Sequence, residues 1–372
     1  MYQEHSIYIP PDDEISAGML KDHDHPVLIS IETTGLYARS AFVFMFTAVY
    51  YESGTWHKVI MLAGNRRDER SLLSSLHAIV QSADILYSFG HFSFSSRFLS
   101  ERYENMNGPG AEFFPRDLEI ADIQHQLKSI RYMLPPGHLT RYDIETYVGF
   151  CRKSDIKGKK IADTFAAYEK TMDEGLRQML ILHQTEDIDS LFRIHVMEAY
   201  CRFAAGHFRV IRHGISPEDP GLLIIEAVSD ERFPSELKTK DTHREIILKG
   251  ISVTITVPVF YGKLRYFLPG QAKDYYYLPD EDRAIHRSVA IFVDKTHRRK
   301  ATKDTCYTTC EGAFLECPRH CGWDPVFKTD FHSKGSYIRY DESQWNEDPD
   351  LPLKYARMII PPFPGSPANE KQ

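Results

Sequence analysis

The sequence predicts an α/β domain built on a mixed sheet flanked by helices, followed by a smaller β-rich α+β domain. Three observations predict it. Three β-rich runs stand in a row near the N-terminus, helical and strand-like segments then alternate, and after Gly206 the texture changes to short alternating strands.

The elements follow in order. Residues 1–25 hold Pro10, Pro11 and an acidic cluster without hydrophobic periodicity, and read as a loosely held arm. The runs from Val27 to Ile31, Phe42 to Tyr51 and Thr55 to Met61 are predicted strands, the last two joined by the turn Glu52-Ser53-Gly54. They form an expected antiparallel meander. Leu72, Leu73, Leu76, Ile79 and Val80 recur at helical spacing, and the run from Ile85 to Phe89 returns to strand character. Further helices are predicted from Phe98 to Glu104, from Ile123 to Ile130, after Thr140 with Asp143 three residues on, and in one long run from Glu174 to Ala204. Beyond Gly206, strands are predicted from Leu222 to Val228, His243 to Leu248, Ile251 to Val257 and Val259 to Leu268, and a short helix from Asp282 to Val293. The stretch after Glu347 is proline-rich and reads as irregular. The expected organisation is an arm over 1–25, an α/β domain over 26–205, a β-rich domain over 206–346 and a tail over 347–372.

At 372 residues the chain can fill two cores. No apolar run is long enough to span a bilayer, and the polar, acidic start does not read as a secretory signal, so a cytoplasmic protein away from membranes is expected. Six cysteines are too few for a disulfide scaffold, which leaves thiols or metal ligation. A formal net charge of -7 argues against a dominant, sequence-independent grip on phosphates. Nucleic-acid contact must come from a local patch.

The informative segment lies at the end of the first predicted strand, Ile29-Ser30-Ile31-Glu32-Thr33-Thr34-Gly35-Leu36. Side chains alternate along a strand, so positions 30 and 32 share a face, where two acids would bind one metal together. Far along the chain stands His183-Gln184-Thr185-Glu186-Asp187. Four residues apart on a helix, His183 and Asp187 are neighbours, and a histidine beside a metal-bound carboxylate is a natural general base for activating water.

These segments resemble the YprB-like ribonuclease-H-like domain, a branch of the exonucleases named for their D-E-D-D carboxylates. The likeness runs from about Val27 to Leu191. It is carried by Ser30 to Leu36, Phe94 to Arg102 (FSSRFLSER), Asp122, Ile144 to Arg152 (IETYVGFCR) and His183 to Leu191. The last third also resembles the C-terminal region of some clostridial-type relatives, through KDYYYLP from Lys273, AIHRSVAIFVDK from Ala284 and Thr305-Cys306-Tyr307. The resemblance implies a metal-dependent 3′-5′ exonuclease site in which four acids hold magnesium or manganese. Here Ser30 and Ser95 stand where two of those aspartates are expected, Gly90 replaces an asparagine, and Gln184 replaces another. Glu32 and Asp187 remain, with Asp122 matching a further acid. A serine hydroxyl is a neutral ligand, so a site built around four anions is left with two, enough for one weakly held ion rather than a pair. Glu32 and Asp187 are the expected residual ligands with Asp122 auxiliary, and His183 is the expected vestigial base. The plainer alternative makes the acids surface relics and His183 a helix-surface residue without a role.

Cys306, Cys310, Cys317 and Cys321 form a C-x3-C-x6-C-x3-C pattern with His320 and His332 nearby, a candidate structural zinc site or a set of unligated thiols. Two basic runs, Arg152 and Lys153 with Lys157, Lys159 and Lys160, and His297 to Lys300 with Lys303, could contact phosphates or be solvated surface. Tyr275 to Tyr277 could stack bases or pack an interface. The leading expectation is a nucleic-acid-binding protein of exonuclease fold with weak or lost catalysis. Its rivals are an active nuclease using the residual acids and a protein-interaction scaffold whose working surface is the C-terminal region.

Overall fold

A central strand covered on both faces must be apolar on both, and that is the pattern at the start of β2 (Pro26–Thr33), where Val27, Leu28 and Ile29 are all buried before the strand opens at Ser30. The computed structural model describes residues 1–90, 92–135, 139–154, 156, 158–318 and 321–363. The expected meander forms from β2, β3 (Val43–Glu52) and β4 (Thr55–Leu62), antiparallel throughout, with Ser30 opposite Thr47 and Glu32 opposite Met45. β5 (Ile85–Ser88) and β6 (Glu119–Asp122) then add in parallel. With β1 (Tyr2–Ile7) at the outer edge, the sheet order is β1-β4-β3-β2-β5-β6.

Helices cover this sheet: α1 (Asp13–Met19), α2 (Glu69–Gln81), α3 (Phe92–Asn107), α4 (Ile123–Ser129), α5 (Arg141–Tyr147), α6 (Lys159–Thr171) and α7 (Glu174–His195). α2 presents Leu72, Leu73, Leu76 and Val80 to β3, as the spacing predicted, and α6 stacks Phe165 on Phe44 at 4.1 Å. Burying such side chains stabilises by about 1.5–3 kcal/mol each.

Several expectations need correction. Residues 1–25 are not a loose arm: β1 pairs with β4 from Tyr2↔Leu62 to Ile7↔His57, and Asp12 caps α1, which buries Ile15 and Met19. The acidic cluster there is a helix start, and α1 is less than two turns long, while the half-buried positions of β1 are Tyr2, Glu4 and Ser6, which leave no apolar alternation to read. α6 falls in part on the basic run that reads as a loop. The single helix expected from Glu174 to Ala204 is two, α7 and α8 (Glu198–Ala204).

The chain divides into two units, residues 1–131 with 136–201, and 132–135 with 202–372. The second is β-rich, with β7 (Phe208–Ile215), β8 (Leu222–Ser229), β9 (Leu237–Lys240), β10 (Glu245–Lys249) and β11 (Ser252–Phe267). Alternation is clean: Leu223, Ile225 and Ala227 of β8, Ile246 and Leu248 of β10, and Val253, Ile255 and Val257 of β11 are buried while their neighbours face outward. The two strands expected on either side of Pro258 are the single long β11. Pro258 has no N–H to donate, and it sits where pairing with β10 has ended and pairing with β15 (Tyr307–Cys317) is about to begin at Val259.

β12 (Tyr275–Leu278), β13 (Arg283–His286) and β14 (Arg299–Lys300) make a separate three-stranded sheet, and α9 (Arg287–Ala290) follows β13. The helix expected from Asp282 to Val293 is therefore mostly a strand with one helical turn. β16 (Ser336–Tyr340) and α10 (Glu342–Glu347) precede α11 (Asp350–Ile359), which buries Pro352, Tyr355, Ala356 and Ile359. The region beyond residue 347 is thus helical as far as Ile359, and residues 364–372 lie outside the described residues. Among the described residues no helix is long and apolar enough to cross a membrane.

Candidate functional site

Four pieces of the N-terminal unit converge where β2 emerges from the core. β2 brings Ser30 and Glu32 on one face. α7, capped by the Asp173 side chain, brings His183 and Asp187 one turn apart. α5 opens with the capping box of Thr140 and Asp143 that its sequence predicted and brings Arg141 and Glu145. The loop from Cys151 to Ser154 brings Arg152. It is tied down by buried Glu186 of α7, which accepts the Lys153 N–H at 2.5 Å and the Ser154 N–H at 3.0 Å.

The expected residues meet. Ser30 donates its hydroxyl to Asp187 Oδ2 at 3.0 Å, and His183 Nε2 lies 3.3 Å from Glu32 Oε1 and 3.7 Å from Asp187 Oδ2. What the sequence did not announce is the company they keep. Arg152 Nη1 lies 2.7 Å from Asp187 Oδ1, and the same guanidinium grips Glu145 at 2.6 Å. Arg141 lies 3.2 Å from Glu145 and 3.7 Å from Asp187, and it also hydrogen-bonds the Asp187 carbonyl. Ser190 donates to Glu145. Asp187 and Glu145 are buried, and two guanidinium groups neutralise these two carboxylates inside the protein.

The electrostatics follow. Burial pushes the Asp187 carboxyl up, but Arg141, His183 and Arg152 outweigh it and hold the group below the usual aspartate range. Glu145 behaves likewise through Arg152 and Ser190. Burial disfavours a charged His183, yet its hydrogen bond to Glu32 and the Asp187 charge raise its pKa. Glu32 is raised, chiefly by burial.

Oxygens of Glu32 and Asp187 and a ring nitrogen of His183 all lie within 4.8 Å of one another, and no other group of three potential ligands occurs among the described residues. By number and spacing these donors suit one ion. They do not fit a pair: two divalent cations require several anionic oxygens, and Asp187 already faces Arg152 through Oδ1 and Ser30 through Oδ2. A cation bound there would also sit beside guanidinium charge.

The remaining expected residues are not among these three donors. Asp122 caps α4 by accepting the His125 N–H at 3.2 Å and also accepts the Gly90 N–H at 2.9 Å. Gly90 has φ +76°, and a Cβ there would come within 2.6 Å of Gln124 Oε1, so this glycine suits its own setting. Ser95 sits on the first turn of α3. The neighbouring residues Leu36, Tyr37, Arg39, Phe94 and Arg97 line an open groove. The loop between Glu32 and β3 is braced by buried Arg102, which pairs with Glu69 and donates to the Ala38 carbonyl at 3.1 Å.

Two further expectations are corrected. Arg152 does not present itself to phosphates, since it is turned inward onto Asp187 and Glu145; Lys153 gives its backbone N–H to Glu186 and keeps its side chain exposed. Lys157 lies outside the described residues. The cysteines do not gather: Cys317 Sγ and Cys321 Sγ are 3.5 Å apart, but no three thiols come together among the described residues, and His320 lies outside them. The residues missed in the sequence are Arg141, Glu145, Glu186 and Ser190. Their one signal was spacing, since Arg141 and Glu145 are four apart directly after a capping box, as His183 and Asp187 are on α7.

No curated protein matches the chain. Among solved structures, the family B DNA polymerase from the hyperthermophilic archaeon Pyrobaculum calidifontis is similar at 12% identity over 71% of this chain and 40% of its own, with a TM-score of 0.34. Exonuclease I in its apo form is 12% identical over 56% of each chain at a TM-score of 0.30. E. coli exonuclease I in complex with a dT13 oligonucleotide is 11% identical over 55% of each chain at 0.29. The chain thus spans less than two thirds of the length of each of these proteins. A family model described as the RNase_H superfamily matches residues 27–198. The meander, the two parallel strands added to it and the flanking helices give the N-terminal unit a ribonuclease-H-like fold over the region that this model matches.

Proposed function

We propose that this protein is a nucleic-acid-binding member of the YprB-like branch whose ribonuclease-H-like domain does not perform two-metal hydrolysis of phosphodiesters. The observation that carries the reading is the 2.7 Å contact between Arg152 and Asp187. A carboxylate that would hold a divalent ion is satisfied by a guanidinium from the same chain. Ser30 supports the reading from the other side, because it donates a proton to Asp187 where an aspartate would add negative charge. In this reading Glu32, His183 and Asp187 form a residual polar cluster, and Asp122 is a helix cap.

The test is direct. Purified protein with magnesium or manganese should degrade single-stranded DNA or RNA far more slowly than about 1 per second, the low end of ordinary enzyme turnover. Faster turnover that is abolished by Glu32→Gln would overturn the reading.

The convergence of three donors within 4.8 Å favours a second reading, a slow one-ion nuclease in which Glu32, Asp187 and His183 hold the metal. Ser30→Asp combined with Ser95→Asp separates the two. If it creates activity from none, the native site lacks hydrolysis; if an existing activity barely changes, the one-ion reading holds.

A further inference from the structure

We propose that the three-stranded sheet of the C-terminal unit and its projecting tip form a contact for unpaired nucleic acid. This rests on the nucleic-acid-binding reading and adds a contact in the other unit. In a chain of formal net charge -7, residues 283–303 hold seven lysines and arginines against a single acid, Asp294. Some of these cations are used internally. Arg283 pairs with Glu281 at 2.5 Å, Arg287 lies 3.5 Å from Asp274, and Arg298 packs over Tyr276 at 5.1 Å while donating to the Ala290 carbonyl. Lys295, Arg299, Lys300 and Lys303 are exposed and have no acidic partner among the described residues. Cations without internal counterions remain available to an anionic ligand.

The second observation is apolar. Ala290 is fully buried and anchors α9, and the Arg298 guanidinium holds its carbonyl, so the residues around it project outward: Val289 is 56% exposed, Ile291 66% and Phe292 85%. A phenylalanine this exposed, three residues before the unpaired Lys295, matches the two requirements of a single strand, a ring on which a base can stack and charges for its phosphates. In a duplex the base faces are covered by their neighbours, so the ring favours an unpaired strand. The same chemistry fits an anionic bilayer less well, because the apolar stretch is one helical turn and surface-seeking helices are considerably longer.

The experiment measures binding of the full chain to fluorescently labelled oligothymidylate and oligouridylate as a function of salt. Changing Lys295, Arg299, Lys300 and Lys303 together to glutamine should weaken binding on the order of 100-fold at low salt and flatten the log–log salt slope by about three, at roughly 0.7 per phosphate contact. Phe292→Ala should weaken binding about tenfold or more with the slope unchanged, since stacking releases no counterions. Both changes are on the surface, and an unaltered urea midpoint shows that the variants fold. If the wild type binds and both variants bind equally well, this contact is wrong while nucleic-acid binding stands. Failure of the wild type to bind either oligonucleotide removes both. Binding to phosphatidylserine vesicles that is lost in Phe292→Ala, with oligonucleotide binding intact, would reassign the tip to a lipid surface and overturn the proposal.

Discussion

Around Asp187, two guanidinium groups face two buried carboxylates, whereas between residues 295 and 303 four exposed basic side chains, Lys295, Arg299, Lys300 and Lys303, have no acidic partner among the described residues. The first group is held by hydrogen bonds from three segments of chain, and the second stands largely in solvent. Charges that meet inside the protein are committed to its architecture, and removing one strands its partners in a poorly solvated place. Charges without internal partners leave the fold almost indifferent and remain available to a ligand. The same residue types therefore predict opposite phenotypes in the two regions.

The largest effect expected is on stability. Arg152→Ala leaves Glu145 and Asp187 with one guanidinium between them, and should cost about 3 kcal/mol or more, read as a lower urea midpoint at unchanged slope. Lys300→Ala should stay within about 0.5 kcal/mol of wild type. Equal effects at the two positions would break the comparison.

A smaller effect sharpens it through pH. Asp187 and Glu145 have depressed pKa values in the folded protein. Their contribution is therefore complete above their ordinary values of 3.8 and 4.5, and is lost as pH falls through the folded values. His183 is raised, so its contribution is complete below its ordinary value of 6.5 and is lost as pH rises through the folded value. Glu32 is also raised, and its contribution too declines as pH rises through its folded value. Stability should decline from slightly acid to alkaline pH, and His183→Gln should flatten that alkaline limb. A limb equally steep in the variant would show that His183 does not take part.

The smallest effect concerns the N-terminal segment. Tyr8 donates to Asp189 at 2.8 Å, so Tyr8→Phe should cost about 1 kcal/mol by chemical denaturation. No change would mean that this bond contributes nothing to docking β1 and α1.

What could be read from the sequence follows from which forces leave a pattern. The meander of β2, β3 and β4 was legible because buried β-branched and aromatic residues run between turn signals. Ser30 with Glu32, and His183 with Asp187, were legible because periods of two and about four place them on shared faces. The pairing of Asp187 with Arg152 was not, because nothing in a lone charged residue tells whether it turns toward solvent or toward a buried carboxylate. Arg152 read as a phosphate contact or as solvated surface for that reason. β1 was missed because its inward positions, Tyr2, Glu4 and Ser6, are mostly polar, α1 because it is less than two turns long, and α6 because its first residues continue a basic run.

Manganese binding to the purified protein, followed by calorimetry or electron paramagnetic resonance, tests the central claim most directly. The account predicts at most one weakly held ion per chain, held more tightly once Arg152→Gln removes the guanidinium charge from Asp187. Two ions bound per chain, with affinity unchanged by that substitution, would contradict it.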